Sequence, residues 1–118
     1  MSPKPTKITL KQIAKTLEIS FDDGQRFNLP AELLRVESPS AEVQGHSEKQ
    51  KKVIFGRREV KILKVEPVGN YAIRIFFDDL HDTGIFSWKY LYTLGIEKEN
   101  RWNSYLKTLE HKGLSRDP

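Results

Sequence analysis

The fold of this chain is decided by the segment LEISFDDGQRFNL, residues 17–29. Apolar and polar residues alternate on both sides of its Asp-Asp-Gly centre, which is typical of half-buried strands. A three-residue loop with Gly24 left-handed in a bulge places Ile19 opposite Phe27 and Leu17 opposite Leu29. A two-residue loop would mix apolar and polar side chains on each face. The sequence therefore predicts a bulged β hairpin.

A second hairpin is predicted further along the chain. Apolar residues between Val60 and Val65 change phase, which indicates a bulge or twist in that strand. Residues 67–70, Pro-Val-Gly-Asn, predict a turn, and residues 71–77 alternate as the next strand. Residues 6–10 are compatible with one further strand.

Three helical segments are also predicted. Pro30 suits the first position of a short turn over 31–34, which Ser38-Pro39-Ser40 ends, and residues 41–52 are expected to form a polar loop. Ser87 is a candidate N-cap, with Phe86 and Leu91 as a hydrophobic staple, and Gly95 is expected to close that helix in the left-handed conformation. A second helix is expected from about residue 97 to residue 111.

These elements add up to one small α+β domain, with antiparallel β hairpins and C-terminal helices packed on the sheet. We expect the domain to span residues 6–112, between a disordered N-terminus (1–5) and a frayed tail (113–118). The 118 residues contain no cysteine, which excludes disulfides and thiolate metal sites. Without an apolar run of about 20 residues or a signal peptide, a cytoplasmic protein with no membrane association is expected.

The charge balance offers one candidate binding patch. Twenty Lys and Arg residues against sixteen Asp and Glu give a net charge of +4, less than most polyanion-binding domains carry. The positive residues between positions 49 and 64 form a candidate basic patch for nucleic acid. It consists of Lys49, Lys51, Lys52, Arg57, Arg58, Lys61 and Lys64. A solvated loop and an outward strand face explain the same residues more simply, so nucleic-acid binding is an alternative rather than the main hypothesis.

No catalytic set is evident. His81 is surrounded by Asp78, Asp79 and Asp82, which could hold a divalent cation in a metal-dependent enzyme or sensor. Because side chains alternate at a strand end, the simpler interpretation is a turn ordered by local hydrogen bonds. Ser87 is better explained as a helix cap than as a nucleophile. The sequence therefore predicts no catalytic residue and no cofactor.

Two stretches resemble the motifs of the DUF971 family, also described as the γ-butyrobetaine hydroxylase-like N-terminal domain. They are LRVESPSAEVQGH (34–46) and DLHDTGIFSWKYL (79–91), and the resemblance extends over roughly residues 5–112. The chain resembles the stand-alone bacterial branch of that family.

The resemblance also implies a comparison with a zinc site. In hydroxylases of the carnitine pathway, a domain like this one binds a structural zinc through three cysteines and one histidine. The matching positions here are Ser38, Ser40, Val43 and His81. One imidazole cannot make a four-coordinate zinc site, so no structural zinc is expected. The catalytic domain of those hydroxylases has no counterpart in these 118 residues.

A second context implied by the resemblance is protein interaction. Related domains are fused to P-loop ATPases of the Mrp type, which are linked to iron–sulfur cluster assembly. The main hypothesis is therefore a non-enzymatic accessory domain, linked to iron–sulfur or metal-cofactor assembly, that binds a protein partner such as an assembly ATPase or carrier. The candidate interaction surface consists of Ser38, Ser40, Glu42, Gln44, His46, Asp79, His81 and Asp82.

Overall fold

The structure is a computed structural model that describes residues 2–44 and 52–118. Six strands and four helices follow one another along the described chain. They are β1 (Pro5–Lys11), β2 (Thr16–Phe21), β3 (Arg26–Pro30), α1 (Ala31–Val36), α2 (Ala41–Gln44), β4 (Ile62–Val68), β5 (Ala72–Phe77), β6 (Gly84–Ser87), α3 (Trp88–Ile96) and α4 (Lys98–Lys112).

Strands β1, β2 and β3 form an antiparallel sheet in that order. The pairs Ile19–Phe27 and Leu17–Leu29 confirm the register predicted from face matching. Gly24 has φ +89°, so it supplies the left-handed residue that a three-residue loop needs.

The ordered chain begins earlier than the sequence predicts. The strand expected at residues 6–10 is confirmed as β1, which starts at Pro5 and pairs with β2. The backbone N–H of Lys4 donates to a carboxylate oxygen of Asp22, whose own N–H donates to the Lys4 carbonyl. Residues 4 and 5 are therefore fixed by the edge of the sheet rather than disordered.

Strands β4, β5 and β6 form a second antiparallel sheet in that order. The predicted irregularity of β4 is confirmed, since its register shifts between Ile62 and Lys64. Strand β4 continues through Pro67, so the turn is shorter than expected and contains Gly69 at φ +55°. Strand β6 was not predicted, because four residues are too few to display a period of two.

The helices agree with the predicted positions but differ in two details. The Ser87 hydroxyl accepts a hydrogen bond from the Tyr90 N–H at 3.0 Å, which confirms the N-cap of α3. The prediction that Gly95 ends α3 in the left-handed conformation is wrong, because α3 continues through it. A Cβ on Gly95 would lie 2.3–2.5 Å from ring atoms of Phe27, so close packing explains this glycine. Residues 41–44 form the short helix α2 rather than a loop.

The tail is packed, in contrast to the frayed segment that the sequence predicts. Helix α4 ends at Gly113, which is left-handed at φ +65°. The N–H groups of Gly56 and Arg58 then donate to the carbonyls of Ser115 and Arg116. These hydrogen bonds hold the tail against the segment that precedes β4.

The main core is formed by apolar residues from strands β2 to β6 and from helices α1 and α3. A smaller cluster joins Val36 of α1 to Tyr105 and Leu109 of α4. The described chain is thus an α+β domain, as the sequence predicts. None of the helices in residues 2–44 and 52–118 is long and apolar enough to cross a bilayer.

Candidate functional site

The site is centred on the turn that connects β5 and β6. The Phe77 N–H donates to the His81 carbonyl, which closes the turn, and the imidazole of His81 is buried with 5% exposure. Leu80 has the opposite environment at the same turn. It is 88% exposed and adopts φ +70°, a left-handed conformation that leucine rarely takes.

The buried imidazole meets two serine hydroxyls that come from the segment between α1 and α2. Nε2 of His81 lies 2.9 Å from Oγ of Ser38 and 3.3 Å from Oγ of Ser40, and the two hydroxyls are 3.4 Å apart. Ser38 is fully buried and Ser40 is 7% exposed. The three groups form a closed hydrogen-bonded cluster that ties the His81 turn to the segment after α1.

An ion-pair cluster lies on the other side of the same turn. Both Arg35 Nε and Arg57 Nε lie 2.7 Å from Oδ2 of Asp79, and the His81 N–H donates to Oδ1 of Asp79. Burial raises the pKa of Asp79, but the hydrogen bond and charge of Arg35, with the other two donors, lower the pKa on balance below its usual value. Asp79 therefore stays ionised and fixes the backbone on both sides of Leu80.

The structure brings together four residues of the predicted interaction surface: Ser38, Ser40, Asp79 and His81. Gln44 joins them through Nε2, which donates to the Ser38 carbonyl. Asp82 lies at the surface instead, where Arg74 Nη2 is 3.6 Å from its carboxylate. His46 and the side chain of Glu42 lie outside what the structure describes.

The positions matched to the three zinc-binding cysteines, Ser38, Ser40 and Val43, are all buried. His81 is buried as well. Two neutral hydroxyls and a hydrocarbon side chain are poor partners for Zn²⁺, which takes thiolate, imidazole or carboxylate ligands. This donor set does not fit a structural zinc. In the part of the chain that the structure describes, no group of three or more His, Cys, Asp or Glu side chains is placed to hold a metal ion.

No local pattern predicts the contact between Ser38 and His81, because 43 residues separate them, and only the resemblance to the zinc-binding domains pairs these positions. A serine hydroxyl beside an imidazole is also found in nucleophilic enzymes, where the serine must reach a substrate. The Ser38 side chain has no exposed surface and is shared between two hydrogen-bonding neighbours. The hydrogen bonds between these side chains therefore order the turn, and the buried Ser38 hydroxyl leaves little access for a substrate.

The residues of the candidate basic patch differ in their surroundings, because its described lysines are exposed while its arginines are paired with carboxylates. Lys49 and Lys51 lie outside the described residues, and Lys52, Lys61 and Lys64 are exposed. Arg57 pairs with Asp79, and Arg58 Nε lies 2.7 Å from a carboxylate oxygen of Asp117. Both arginines of the patch thus pair with carboxylates of the same chain, which weakens the case for phosphate contacts.

A second buried polar cluster was missing from the sequence prediction. Arg101 Nη1 of α4 donates to the Glu37 carboxylate at 3.0 Å, and the Tyr90 hydroxyl donates to the Glu37 carbonyl. Burial, together with the Glu37 charge, raises the pKa of Tyr90 to about 12. This phenol stays protonated as a donor, so it fixes α3 to the end of α1. The cluster adjoins an open cavity of about 570 Å³ that is lined by the end of α1, residues 52–54 and α4.

Comparison with known proteins agrees with the motifs in this site. A family model described as gamma-butyrobetaine hydroxylase-like, N-terminal, matches residues 8–92. No curated protein matches the chain. Two proteins solved by NMR in solution are 44% and 48% identical, with TM-scores of 0.88 and 0.85. The alignment with the first protein covers 100% of this chain and 93% of that protein. The alignment with the second covers 99% of this chain and 87% of that protein.

A crystal structure at 1.93 Å from Acidithiobacillus ferrooxidans ATCC 23270 is also similar. That protein has unknown function and belongs to the DUF971 family. That protein is 36% identical to this chain, with a TM-score of 0.67. The alignment covers 78% of this chain and 92% of that protein.

Proposed function

This chain belongs to the gamma-butyrobetaine hydroxylase-like N-terminal (DUF971) family, and on that premise we propose that it is a non-enzymatic accessory domain that binds a protein partner through the His81 turn. The observation that carries the proposal is Leu80. It is 88% exposed at the apex of a turn whose neighbours are fixed on one side by the partly buried Asp79 and on the other by the buried His81.

The conformation of Leu80 is costly without a partner. A left-handed conformation costs an L-residue with a side chain about 1–2 kcal/mol, and glycine or asparagine would avoid most of it. Strain of this kind persists where the surrounding structure holds it, and it is concentrated at functional sites. The hydrogen bonds of Asp79 and His81 hold this turn. A leucine presented this rigidly suits an apolar anchor that loses little entropy on binding.

The buried groups support a structural rather than a catalytic role. Ser38 and His81 contact each other below the surface, and Asp79 is shared by two arginines. Each of these polar groups is used to shape the turn. The proposal therefore assigns recognition to the exposed apex and rigidity to the residues beneath it.

The partner that we propose is an iron–sulfur assembly ATPase of the Mrp type or a carrier that works with it. The support is the resemblance to domains that are fused to such ATPases. Since the chain has no cysteine, it would dock on the partner instead of holding the cluster itself.

The experiment measures binding of the purified chain to the Mrp-type ATPase and to the cluster carrier of the same host, by calorimetry. We expect Leu80→Ala to weaken binding at least tenfold, because truncation of a hot-spot anchor costs about 2 kcal/mol or more. Ile96→Ala is the matched control, since Ile96 is also apolar and 57% exposed but lies at the end of α3.

The two parts of the proposal fail separately. If the unmodified chain binds neither protein, the proposed partner is wrong. If it binds and Leu80→Ala binds equally well, the His81 turn is not the docking surface.

A further inference from the structure

Residues 115–117 lie against the segment 56–58 and contact it through both backbone and side chains. The N–H groups of Gly56 and Arg58 donate to the carbonyls of Ser115 and Arg116, each at 2.9 Å. We call the surface formed by Glu32, Gly56, Arg58 and Trp102 the tail groove.

Charge pairs join residues 116 and 117 to the tail groove. Arg116 donates from Nε and Nη2 to the two carboxylate oxygens of Glu32, at 2.9 and 2.7 Å. Glu32 is 6% exposed, and the Arg116 guanidinium also lies 5.0 Å from the ring centroid of Trp102. Next to this pair, Arg58 Nε contacts the Asp117 carboxylate at 2.7 Å.

We propose that the tail groove is a peptide-binding site for a short segment in which arginine is followed by an acidic residue. In this structure, residues 114–117 of the same chain occupy it. A buried carboxylate such as Glu32 is stable only with a well-aligned cation, and the planar guanidinium fork matches a carboxylate at both oxygens. Lysine offers a single point charge and cannot reproduce that geometry.

The bound segment is exchangeable because little of it is buried. Within residues 113–118, Leu114 and Arg116 are partly buried and the others are exposed. A peptide of the same chemistry on a partner protein therefore competes with the tail for the same contacts. The tail has the advantage of a short tether, which gives it an effective concentration on the order of millimolar. The tail of the same chain thus occupies the tail groove until a peptide with higher affinity displaces it.

The test uses the full chain and the synthetic peptide Gly-Leu-Ser-Arg-Asp-Pro. Arg116→Ala vacates Glu32, so the peptide should shift the amide NMR signals of Gly56 and Arg58, with a dissociation constant at least tenfold lower than for the unmodified chain. The same peptide with lysine in place of arginine should bind at least tenfold more weakly. Glu32→Gln in the Arg116→Ala chain should remove the difference between the two peptides.

A second variant covers the case in which Arg116→Ala does not fold. Arg58→Ala removes the exposed pair with Asp117 and leaves Glu32 paired. We expect hydrogen exchange at the Gly56 amide to accelerate at least threefold, while amides of β2 and β5 keep their rates. The proposal is overturned if the arginine peptide leaves both amide signals unchanged in a folded Arg116→Ala chain. It is also overturned if the lysine peptide binds equally well, or if Arg58→Ala leaves exchange at Gly56 unchanged.

Discussion

A Cβ atom on Gly84 would lie 2.5 Å from Oγ of Ser38, so the missing side chain of Gly84 leaves room for the hydroxyl that contacts His81. The same Cβ would lie 3.0 Å from the ring of Phe86. Strand β6 therefore contributes space to the site, because Gly84 has no Cβ atom where the Ser38 hydroxyl lies. Its first residue permits the close approach of the segment after α1.

This relationship predicts the effect of Gly84→Ala. The new methyl group should push the Ser38 hydroxyl away from His81 and lower the free energy of unfolding by about 1–3 kcal/mol, as overpacking does. Denaturant unfolding measures the change. In a Ser38→Ala chain the same substitution should cost clearly less, because the crowded oxygen is gone. Equal costs in the two backgrounds would show that Ser38 is not the obstacle.

Leu80→Gly should raise stability. Glycine adopts the left-handed conformation freely, so the substitution removes about 1–2 kcal/mol of strain. The greater freedom of glycine in the unfolded chain offsets roughly half of that gain. We expect a net increase of about 0.5–1 kcal/mol in thermal or denaturant unfolding. Leu63→Gly is the control, since Leu63 is 55% exposed in strand β4 and should instead destabilise. A loss of stability for Leu80→Gly would mean that Leu80 packs usefully where it lies.

The parts of the fold that the sequence predicts correctly are those fixed by neighbours along the chain. The hairpin register follows from the alternation between Leu17 and Leu29 and from the single glycine between its strands. The Ser87 cap depends on a residue three positions away. In both cases the deciding contacts lie within one short window of sequence.

The features that were missed depend on distant contacts. Gly95 resembles a helix terminator, but glycine is needed there because the ring of Phe27 in strand β3 packs directly against it. The contact of Arg116 with Glu32 spans 84 residues, so the composition of the tail alone predicts fraying. Ser38 and Ser40 resemble helix-terminating residues, and family resemblance rather than local pattern placed them beside His81.

Acid should weaken the fold through Asp79. Its pKa is lowered in the folded protein, so the ionised carboxylate contributes stability above the unfolded pKa of about 4. That contribution is lost as the pH falls from about 4 through the lower folded value. Urea unfolding between pH 2 and pH 6 should therefore show a shallower pH dependence for Asp79→Asn than for the unmodified chain. Glu59→Gln, which removes an exposed carboxylate, should change the slope less. Identical slopes for Asp79→Asn and the unmodified chain would contradict this role.

Gly95→Ala should destabilise although alanine favours helices. The gain in helix propensity is about 1 kcal/mol. Against it, the new methyl group would lie 2.3 Å from Cγ of Phe27, at the anchored end of the ring, which is itself packed edge-on against Phe21 and Tyr92. We expect a net loss of about 1–2 kcal/mol in unfolding experiments. In a Phe27→Ala chain the sign should reverse and Gly95→Ala should stabilise. Destabilisation in both backgrounds would contradict the packing explanation.

Cysteines at positions 38, 40 and 43 should create a zinc site. The two serine Oγ atoms and Nε2 of His81 form a triangle with sides of 2.9, 3.3 and 3.4 Å. Ligands of a tetrahedral zinc with bonds of about 2.0–2.3 Å lie roughly 3.3–3.8 Å apart, so longer cysteine side chains need only small shifts. Val43 is buried and follows Ser40 by three residues, with its N–H donating to the Ser40 carbonyl.

The triple variant Ser38→Cys/Ser40→Cys/Val43→Cys should therefore bind one Co²⁺ per chain with thiolate charge-transfer bands and a tetrahedral spectrum. Its melting temperature should fall on addition of a chelator, because metal bound to the folded state alone stabilises it. The unmodified chain, with hydroxyls and a valine at these positions, should show neither effect. Adding His81→Ala to the triple variant should weaken Co²⁺ binding at least tenfold. Equal Co²⁺ binding with and without His81 would show that the four positions do not converge on one ion, and the geometry described for the site would then be wrong.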